Sequence, residues 1–199
     1  MDLAKEYPKN LYIGIDISEM FPSEVERPSS ATFIKANLLD GLPFENNSFD
    51  FVYQRFLGIS LTEVQWKVKV IPELVRVLKP GGWIEIMEYD LIWFSLGPKT
   101  NVMLTKLKNK LQEYGINVIM SRKISELLKA NNVHNVETIS KSIPLGDWGG
   151  KLGRASLDMT PEEYDDCLEG SAREINEYKS YTMSHRYSML VRYTLLTTL

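Results

Sequence analysis

The chain has 199 residues, of which 44% are hydrophobic and 25% are charged. That length and composition are typical of one soluble folded domain and not of a disordered chain. The formal net charge of -3 argues against a nucleic-acid-binding surface, whose signature is a concentration of lysine and arginine. We therefore expect no nucleic-acid partner.

Cysteine content and apolar runs indicate where the protein acts. Cys167 is the only cysteine, so no intrachain disulfide can form. No run approaches the roughly 18 apolar residues of a membrane span. Charges interrupt the first eight residues, where a secretory signal would be apolar. The sequence predicts a cytoplasmic protein, with the nucleus as the alternative location, and no membrane partner.

The first half of the chain alternates strand patterns, with aliphatic residues at every second position, and helical patterns. The predicted strands cover residues 11–18, 32–36, 49–53 and 83–88, and one long helix covers 61–78. Ser60 and Glu63 have the spacing of a capping box at the start of this helix. Pro72 is predicted to split or kink it, and Lys79–Gly82 ends it.

The second half carries a weaker version of the same pattern. Helices are predicted over 101–114, 125–130 and from Thr160 to about 178, and strands over 136–143 and 181–191. Strands that alternate with helices at this spacing predict an α/β fold with a mostly parallel sheet.

In such sheets, ligands bind beyond the carboxyl ends of the strands. Asp16 lies near the end of the first predicted strand, where a carboxylate can accept hydrogen bonds from both ribose hydroxyls of a nucleoside cofactor or can serve a helix cap or local turn. Asn37 and Leu38 follow the second strand. The polar side chain of Asn37 can hydrogen-bond an adenine edge, and the apolar side chain of Leu38 can pack on the adenine face. Gln54 and Arg55 follow the third, where they suit a charged cofactor tail, a substrate or local hydrogen bonds.

Three motifs now carry a family resemblance: Gly-Ile-Asp-Ile-Ser at 14–18, Leu-Pro-Phe-Glu-Asn-Asn-Ser-Phe-Asp-Phe-Val at 42–52, and Glu-Leu-Val-Arg-Val-Leu-Lys-Pro-Gly-Gly at 73–82. In this order they resemble the second, fourth and fifth strands of class I S-adenosylmethionine (SAM) methyltransferases. The segment 143–153 resembles fungal small-molecule methyltransferases, including those associated with the velvet regulatory complex. The resemblance implies a Rossmann-like fold and SAM-dependent methyl transfer to a small-molecule acceptor.

The resemblance also assigns roles to the strand-end residues. Asp16 would bind the ribose hydroxyls and Ile17 would contact the adenosine, while Asn37 and Leu38 would flank the adenine. Gln54 and Arg55 would lie near the methionine part of SAM or near the methyl acceptor. No residue is identified as a catalytic base, because methyl transfer depends largely on proximity and alignment.

The sequence departs from the family pattern before Asp16. The family has a first strand and a glycine-rich loop there, whereas Gly14 is the only glycine before Gly41. Residues 1–199 thus resemble a single methyltransferase domain that is incomplete. Three explanations remain: the neighbouring strands close up, another chain completes the sheet by self-association through an exposed edge, or the sequence is a fragment. We favour the fragment.

Two hypotheses follow, an enzyme that transfers the SAM methyl group and a non-catalytic methyltransferase-like remnant. Without the glycine-rich loop, we expect the chain to show no saturable SAM binding by calorimetry. The two histidines, His134 and His185, lack metal-ligand spacing, and we predict no metal site. The sequence also offers no defensible arrangement of serine, histidine and aspartate.

Overall fold

The structure is a computed structural model that describes residues 2–146 and 171–190. Its strands are β1 (Tyr12–Asp16), β2 (Ala31–Lys35), β3 (Phe49–Arg55), β4 (Leu78–Phe94), β5 (Glu137–Pro144) and β6 (Tyr181–Leu190). Strands β1 and β2 form a parallel two-stranded sheet, and the other four form a sheet of order β3-β4-β6-β5. In the larger sheet β3 is parallel to β4, while β6 is antiparallel to β4 and β5. The predicted α/β class and Rossmann-like sheet are confirmed, with a mixed larger sheet.

Short helical segments connect and flank the strands. They are α1 (Asp2–Glu6), a 3-10 turn (Leu38–Asp40), α2 (Glu63–Gln65), a π-helical turn (Trp66–Val70), α3 (Ile71–Val77), α4 (Pro98–Glu113), a second 3-10 turn (Met120–Lys123), α5 (Ile124–Ala130) and α6 (Ser171–Glu177). None of the described helices is long and apolar enough to cross a membrane.

The helix predicted over 61–78 differs from its prediction in two respects. Its capping box uses Thr62 and Gln65 rather than Ser60 and Glu63, because the helix begins at residue 63. At Pro72, where a split or a kink was predicted, the helical segments follow one another without a break. Proline lacks an amide hydrogen and crowds the preceding turn. The chain accommodates it with the π-helical turn directly before α3, so α2, this turn and α3 follow one another without a break.

Strand β4 is longer than predicted. The turn Lys79–Gly82 lies inside it as an irregularity, since the register to β3 shifts between Phe49 and Phe51. Gly81 has a φ of 80°, which favours glycine. At its other end β4 continues to Phe94 because β6 pairs with it there.

One face of the larger sheet holds the main hydrophobic core. Ile84 and Ile86 of β4 and Tyr187 of β6 are buried against the π-helical turn, α3 and α5. Trp66 of the π-helical turn and Ile124 of α5 are fully buried in this cluster. The helical segments that follow β3 therefore pack on the part of β4 that pairs with β3.

The small sheet packs through a close cross-strand contact. Gly14 lies opposite Phe33 in the register of β1 and β2. A methyl group on Gly14 would come within 2.6 Å of the Phe33 ring, so only glycine leaves space for it. Phe21 lies against the same ring, with centroids 5.4 Å apart.

The two sheets are not joined by strand pairing. In the described ranges, no strand pairs with the second edge of β1 or with the outer edge of β3. The segment after β2 connects them instead, because Leu38 and Leu39 pack on the main core and Leu42 N donates to Glu73 Oε1 at 2.6 Å. The chain thus leaves a gap in hydrogen bonding between β1 and β3.

Some predictions lie outside the described residues. These are the start of the helix predicted at Thr160, Cys167, and residues 147–153 of the segment that resembles fungal small-molecule methyltransferases. The remaining elements of the second half agree with their predictions within a few residues at each end.

Candidate functional site

Asp16 lies at the carboxyl end of β1, as predicted. Its Oδ1 atom accepts hydrogen bonds from Ser18 N and Ser18 Oγ, both at 2.8 Å. These two bonds lower the pKa of the Asp16 carboxyl below its usual value, so it is ionised near neutral pH. The neighbouring Ile17 side chain is 65% exposed. An exposed carboxylate and an exposed aliphatic group therefore stand together at this strand end.

Asn37 and Leu38 follow β2 and are engaged within their own turn. Asn37 Oδ1 accepts from Leu39 N at 3.1 Å, and its Nδ2 donates to Asp40 at 3.1 Å. Leu38 is partly buried against the main core. The structure thus shows a local capping role for Asn37, and the adenine contact stays a prediction.

Gln54 and Arg55 end β3 but differ in environment. Gln54 is only 7% exposed, and its Nε2 donates to Glu88 Oε1 at 2.6 Å. The Gln54 Oε1 atom is buried and has no hydrogen-bond partner among the described residues. Arg55 is exposed, and its guanidinium lies 5.6 Å from the centre of the Phe56 ring.

Glu88, near the carboxyl end of the parallel part of β4, is a site residue that sequence reasoning missed. Its side chain is almost fully buried, and it accepts hydrogen bonds from Gln54, from Leu57 N at 2.7 Å and from Gly58 N at 2.9 Å. Burial raises the pKa of the Glu88 carboxyl, although these three donors oppose the shift. The only sequence signal for Glu88 was its position as an acidic residue at the end of the largely apolar strand predicted over 83–88.

The loop after β3 folds back over the end of β4. Phe56 has a φ of 59°, which is rare for a residue with a side chain. Its amide donates to Met87 O at 3.1 Å, and its ring stacks on Tyr89 with centroids 4.5 Å apart. The ends of β3 and β4 therefore form one connected edge.

A second buried acidic residue lies further along β4. Asp90 has no exposed side-chain surface; its Oδ2 is 2.5 Å from the Arg122 guanidinium and 3.3 Å from His185 Nε2, and it also accepts from Ser121. Although burial would raise the pKa of Asp90, the nearby His185 imidazole and the hydrogen bonds from Ser121 and Arg122 lower it overall.

No sequence pattern groups Ser140, His185 and Asp90, yet the structure brings them into line. Ser140 Oγ lies 2.8 Å from His185 Nδ1. In serine hydrolases the carboxylate orients Nδ1 and the serine faces Nε2, which is the reverse order. Because Arg122 also neutralises Asp90, we interpret the cluster as a structural tie between β4, β5, β6 and the second 3-10 turn.

A shallow depression of about 220 Å³ lies beside the first 3-10 turn. Its lining combines that turn with the π-helical turn and α3: Leu38, Leu39, Asp40, Gly41, Val68, Lys69, Pro72, Glu73 and Arg76. Of the predicted site residues only Leu38 contributes to it, so it does not bring the strand ends together.

The strand ends fit a nucleoside cofactor with an amino-acid tail in part. Asp16 offers an ionised acceptor for hydroxyl groups, and Gln54 Oε1 is a buried acceptor that still lacks a donor. A buried polar atom without a partner is costly, and a ligand that supplies the donor removes that cost. Nothing in the described residues supplies a glycine-rich backbone between these two ends.

Comparison with known proteins finds methyltransferases among the proteins that this chain resembles. Residues 1–82 match the Methyltransferase domain family. The chain is 33% identical over 121 residues to the N-methyltransferase verN of Clonostachys rogersoniana, covering 58% of this chain and 42% of that protein. It is 31% identical over 109 residues to the N-methyltransferase tcpN of Claviceps purpurea, covering 52% and 38%. The chain therefore spans less than half the length of these relatives.

A solved structure shows the same fold. It is phosphoethanolamine N-methyltransferase 2 of Haemonchus contortus, in complex with phosphomonomethylethanolamine and S-adenosylhomocysteine. The TM-score is 0.62 at 17% identity, over 96% of this chain and 46% of that one. This likeness supports the Rossmann-like fold of the described sheets.

Proposed function

We propose that this chain carries part of the site of a SAM-dependent methyltransferase that acts on a small-molecule acceptor. The observation that carries the proposal is the pair of acceptors at the carboxyl ends of parallel strands, ionised Asp16 on β1 and the unpartnered Gln54 Oε1 on β3. Ligands of open α/β sheets bind at such ends. The family match over residues 1–82 covers both strands.

In this proposal each strand end has its own role. Asp16 accepts hydrogen bonds from the ribose hydroxyls, and Ile17 contacts the adenosine. Asn37 and Leu38 flank the adenine, while Gln54 and Arg55 hold the methionine part of SAM or the acceptor. When bound, SAM supplies a methyl group on a sulfonium, and the residues of this chain bind and orient it.

We further propose a fungal-type enzyme with a nitrogen acceptor. Both fungal relatives are named N-methyltransferases, and their matches are above 30% identity. An amine acceptor is also consistent with the lack of an assigned catalytic base, because a neutral amine needs no base to attack the methyl group.

A second candidate is a methyltransferase-like protein that does not bind SAM. Within the described ranges no strand pairs with one edge of β1 or with one edge of β3, which favours this candidate, because unpaired edges are templates for pairing with another strand, including one from a second copy. Under this candidate the strand ends serve protein contacts, and the family fold persists without the activity.

Chemical-shift mapping with S-adenosylhomocysteine distinguishes the candidates. We expect a titration followed by proton–nitrogen NMR to move the amide signals of Asp16 and Ile17 and the side-chain signal of Gln54 with one common dissociation constant. A partial site should give a constant in the millimolar range, which corresponds to about −4 kcal/mol.

The matched variants are Asp16→Ala and Asp50→Ala. Asp50 is an exposed carboxylate near the start of β3, paired with Lys79. We expect Asp16→Ala to abolish the shifts and Asp50→Ala to leave them. Absence of shifts at the strand ends of the unchanged chain would favour the second candidate.

A further inference from the structure

The buried carboxyl of Glu88 connects three parts of the strand-end edge. It lies on β4, accepts from the Gln54 amide on β3, and accepts from the backbone of Leu57 and Gly58 in the loop between them. A buried carboxylate is costly unless it is hydrogen-bonded. Here both oxygens are used, so displacing any one partner leaves a buried polar group unsatisfied.

The loop has little room to adopt another position while Glu88 is in place. A methyl group on Gly58 would lie 3.0 Å from Glu88 Oε2, closer than ordinary contact. At the preceding Phe56 the backbone has a φ of 59°. A conformation of this kind persists only when surrounding contacts determine it, and the bonds from Leu57 and Gly58 to Glu88 are two such contacts.

The same carboxylate determines which way the Gln54 amide faces. Its Nε2 donates to Glu88 Oε1 at 2.6 Å, which leaves Oε1 as the atom without a partner. Turning the amide over would place its oxygen against the carboxylate oxygen, and two acceptors repel each other. Glu88 therefore keeps Gln54 as an acceptor toward any ligand at this edge.

We propose that Glu88 is a positioning residue for the candidate site. Its carboxylate holds the backbone of Leu57 and Gly58, and it orients Gln54 so that Gln54 Oε1 can accept a hydrogen bond from a donor group of the ligand. Glu88 itself faces away from solvent and acts through Gln54 and the loop. This inference rests on the proposed function in one respect, because it takes the carboxyl ends of β3 and β4 as part of the ligand site.

Glu88→Gln tests the proposal, with Glu85→Gln as the matched control. Glu85 is three residues earlier on the same strand and on its opposite face, and its Oε2 accepts from Arg186 at 2.5 Å. In Glu88→Gln we expect amide hydrogen exchange at Leu57 and Gly58 to accelerate about tenfold or more. Exchange at Ile84 and Ile86 should keep its rate, and Glu85→Gln should change none of the four.

The NMR signal of the Gln54 side-chain amide gives a second readout, which does not depend on the overall stability of the fold. Its hydrogen bond to a carboxylate should shift the signal in the unchanged chain, and we expect that shift to disappear in Glu88→Gln. Gly58→Ala provides an independent variant, because its methyl group displaces Glu88 without touching Gln54. We expect it to change the Gln54 signal as well.

Two results would overturn the proposal. One is unchanged exchange at Leu57 and Gly58 in a folded Glu88→Gln chain. The other is an unchanged Gln54 signal in Gly58→Ala, which decides the question even when Glu88→Gln does not fold. Neither readout contains a ligand, so a failed titration with S-adenosylhomocysteine contradicts the proposed function and leaves this test intact.

Discussion

Asp90 shows how much a single buried carboxylate contributes in this fold. Its partners Arg122, Ser121 and His185 come from the second 3-10 turn and β6. We predict that Asp90→Asn lowers the free energy of unfolding by about 2 kcal/mol at neutral pH, since it leaves the Arg122 charge without its partner, although Arg122 is partly exposed to solvent. Urea denaturation measures this difference, and Asp50→Asn at an exposed ion pair should change it little.

The stability from Asp90 should depend on pH with a defined sign. The folded state lowers the Asp90 pKa, so its ionisation stabilises the fold above the unfolded-state pKa of about 3.9. That contribution is lost as the pH falls through the lower folded-state value. The difference between the unchanged chain and Asp90→Asn should therefore shrink below about pH 4. A difference that grows on acidification would contradict this assignment.

The positions of individual residues were predictable where the local sequence pattern determines them. Asp16, Gln54 and Arg55 were expected at strand ends, and they lie there because strand periodicity locates those ends. Glu88 and Asp90 were missed. Their roles depend on partners about 30 residues away, such as Leu57 and Ser121, and no local pattern reports such contacts.

At the scale of elements, the loop that enters β3 is held by α3. Arg76 donates to Phe44 O at 2.7 Å and to Leu42 O at 3.1 Å, and it also pairs with Glu73 at 2.5 Å. Because Glu73 Oε1 accepts from Leu42 N, one pair of side chains secures both ends of the loop.

We predict that Arg76→Ala lowers the free energy of unfolding by about 1–2 kcal/mol and accelerates amide exchange at Leu42. The lost guanidinium leaves loop carbonyls without donors, which explains the effect. Lys110→Ala on α4 is the control, since Lys110 and Glu113 form an exposed pair expected to contribute little. Equal effects of the two variants would show that the loop contacts are not stabilising.

Helix bounds were predictable only approximately. The capping box was predicted at Ser60 and is observed at Thr62, because the residues that start at either position satisfy the local pattern. The tertiary packing of Trp66 decides between the two positions. The π-helical turn before Pro72 has no local signature beyond the proline itself. The far end of β4 also depends on a strand about 90 residues later, which local periodicity does not include.

At the scale of the whole molecule, the described residues form two sheets without strand pairing between them, and Leu38 and Leu39 of the segment after β2 pack on the main core. The α/β class and the order of motifs were predictable from the sequence. The separation of β1 from β3 was one of several outcomes that the sequence left open, because it depends on which backbone groups find partners. The strand ends thus carry side-chain acceptors without a backbone cradle between them.

The central claim is that the described strand ends form only part of a SAM site. Calorimetric titration of the chain with S-adenosylhomocysteine tests this claim most directly. The described strand ends supply few contacts, and a micromolar dissociation constant requires about −8 kcal/mol of binding free energy. We predict no saturable heat at micromolar ligand concentrations. A saturating isotherm with a dissociation constant in the micromolar range would contradict the account, because it would require a backbone cradle that this account does not contain.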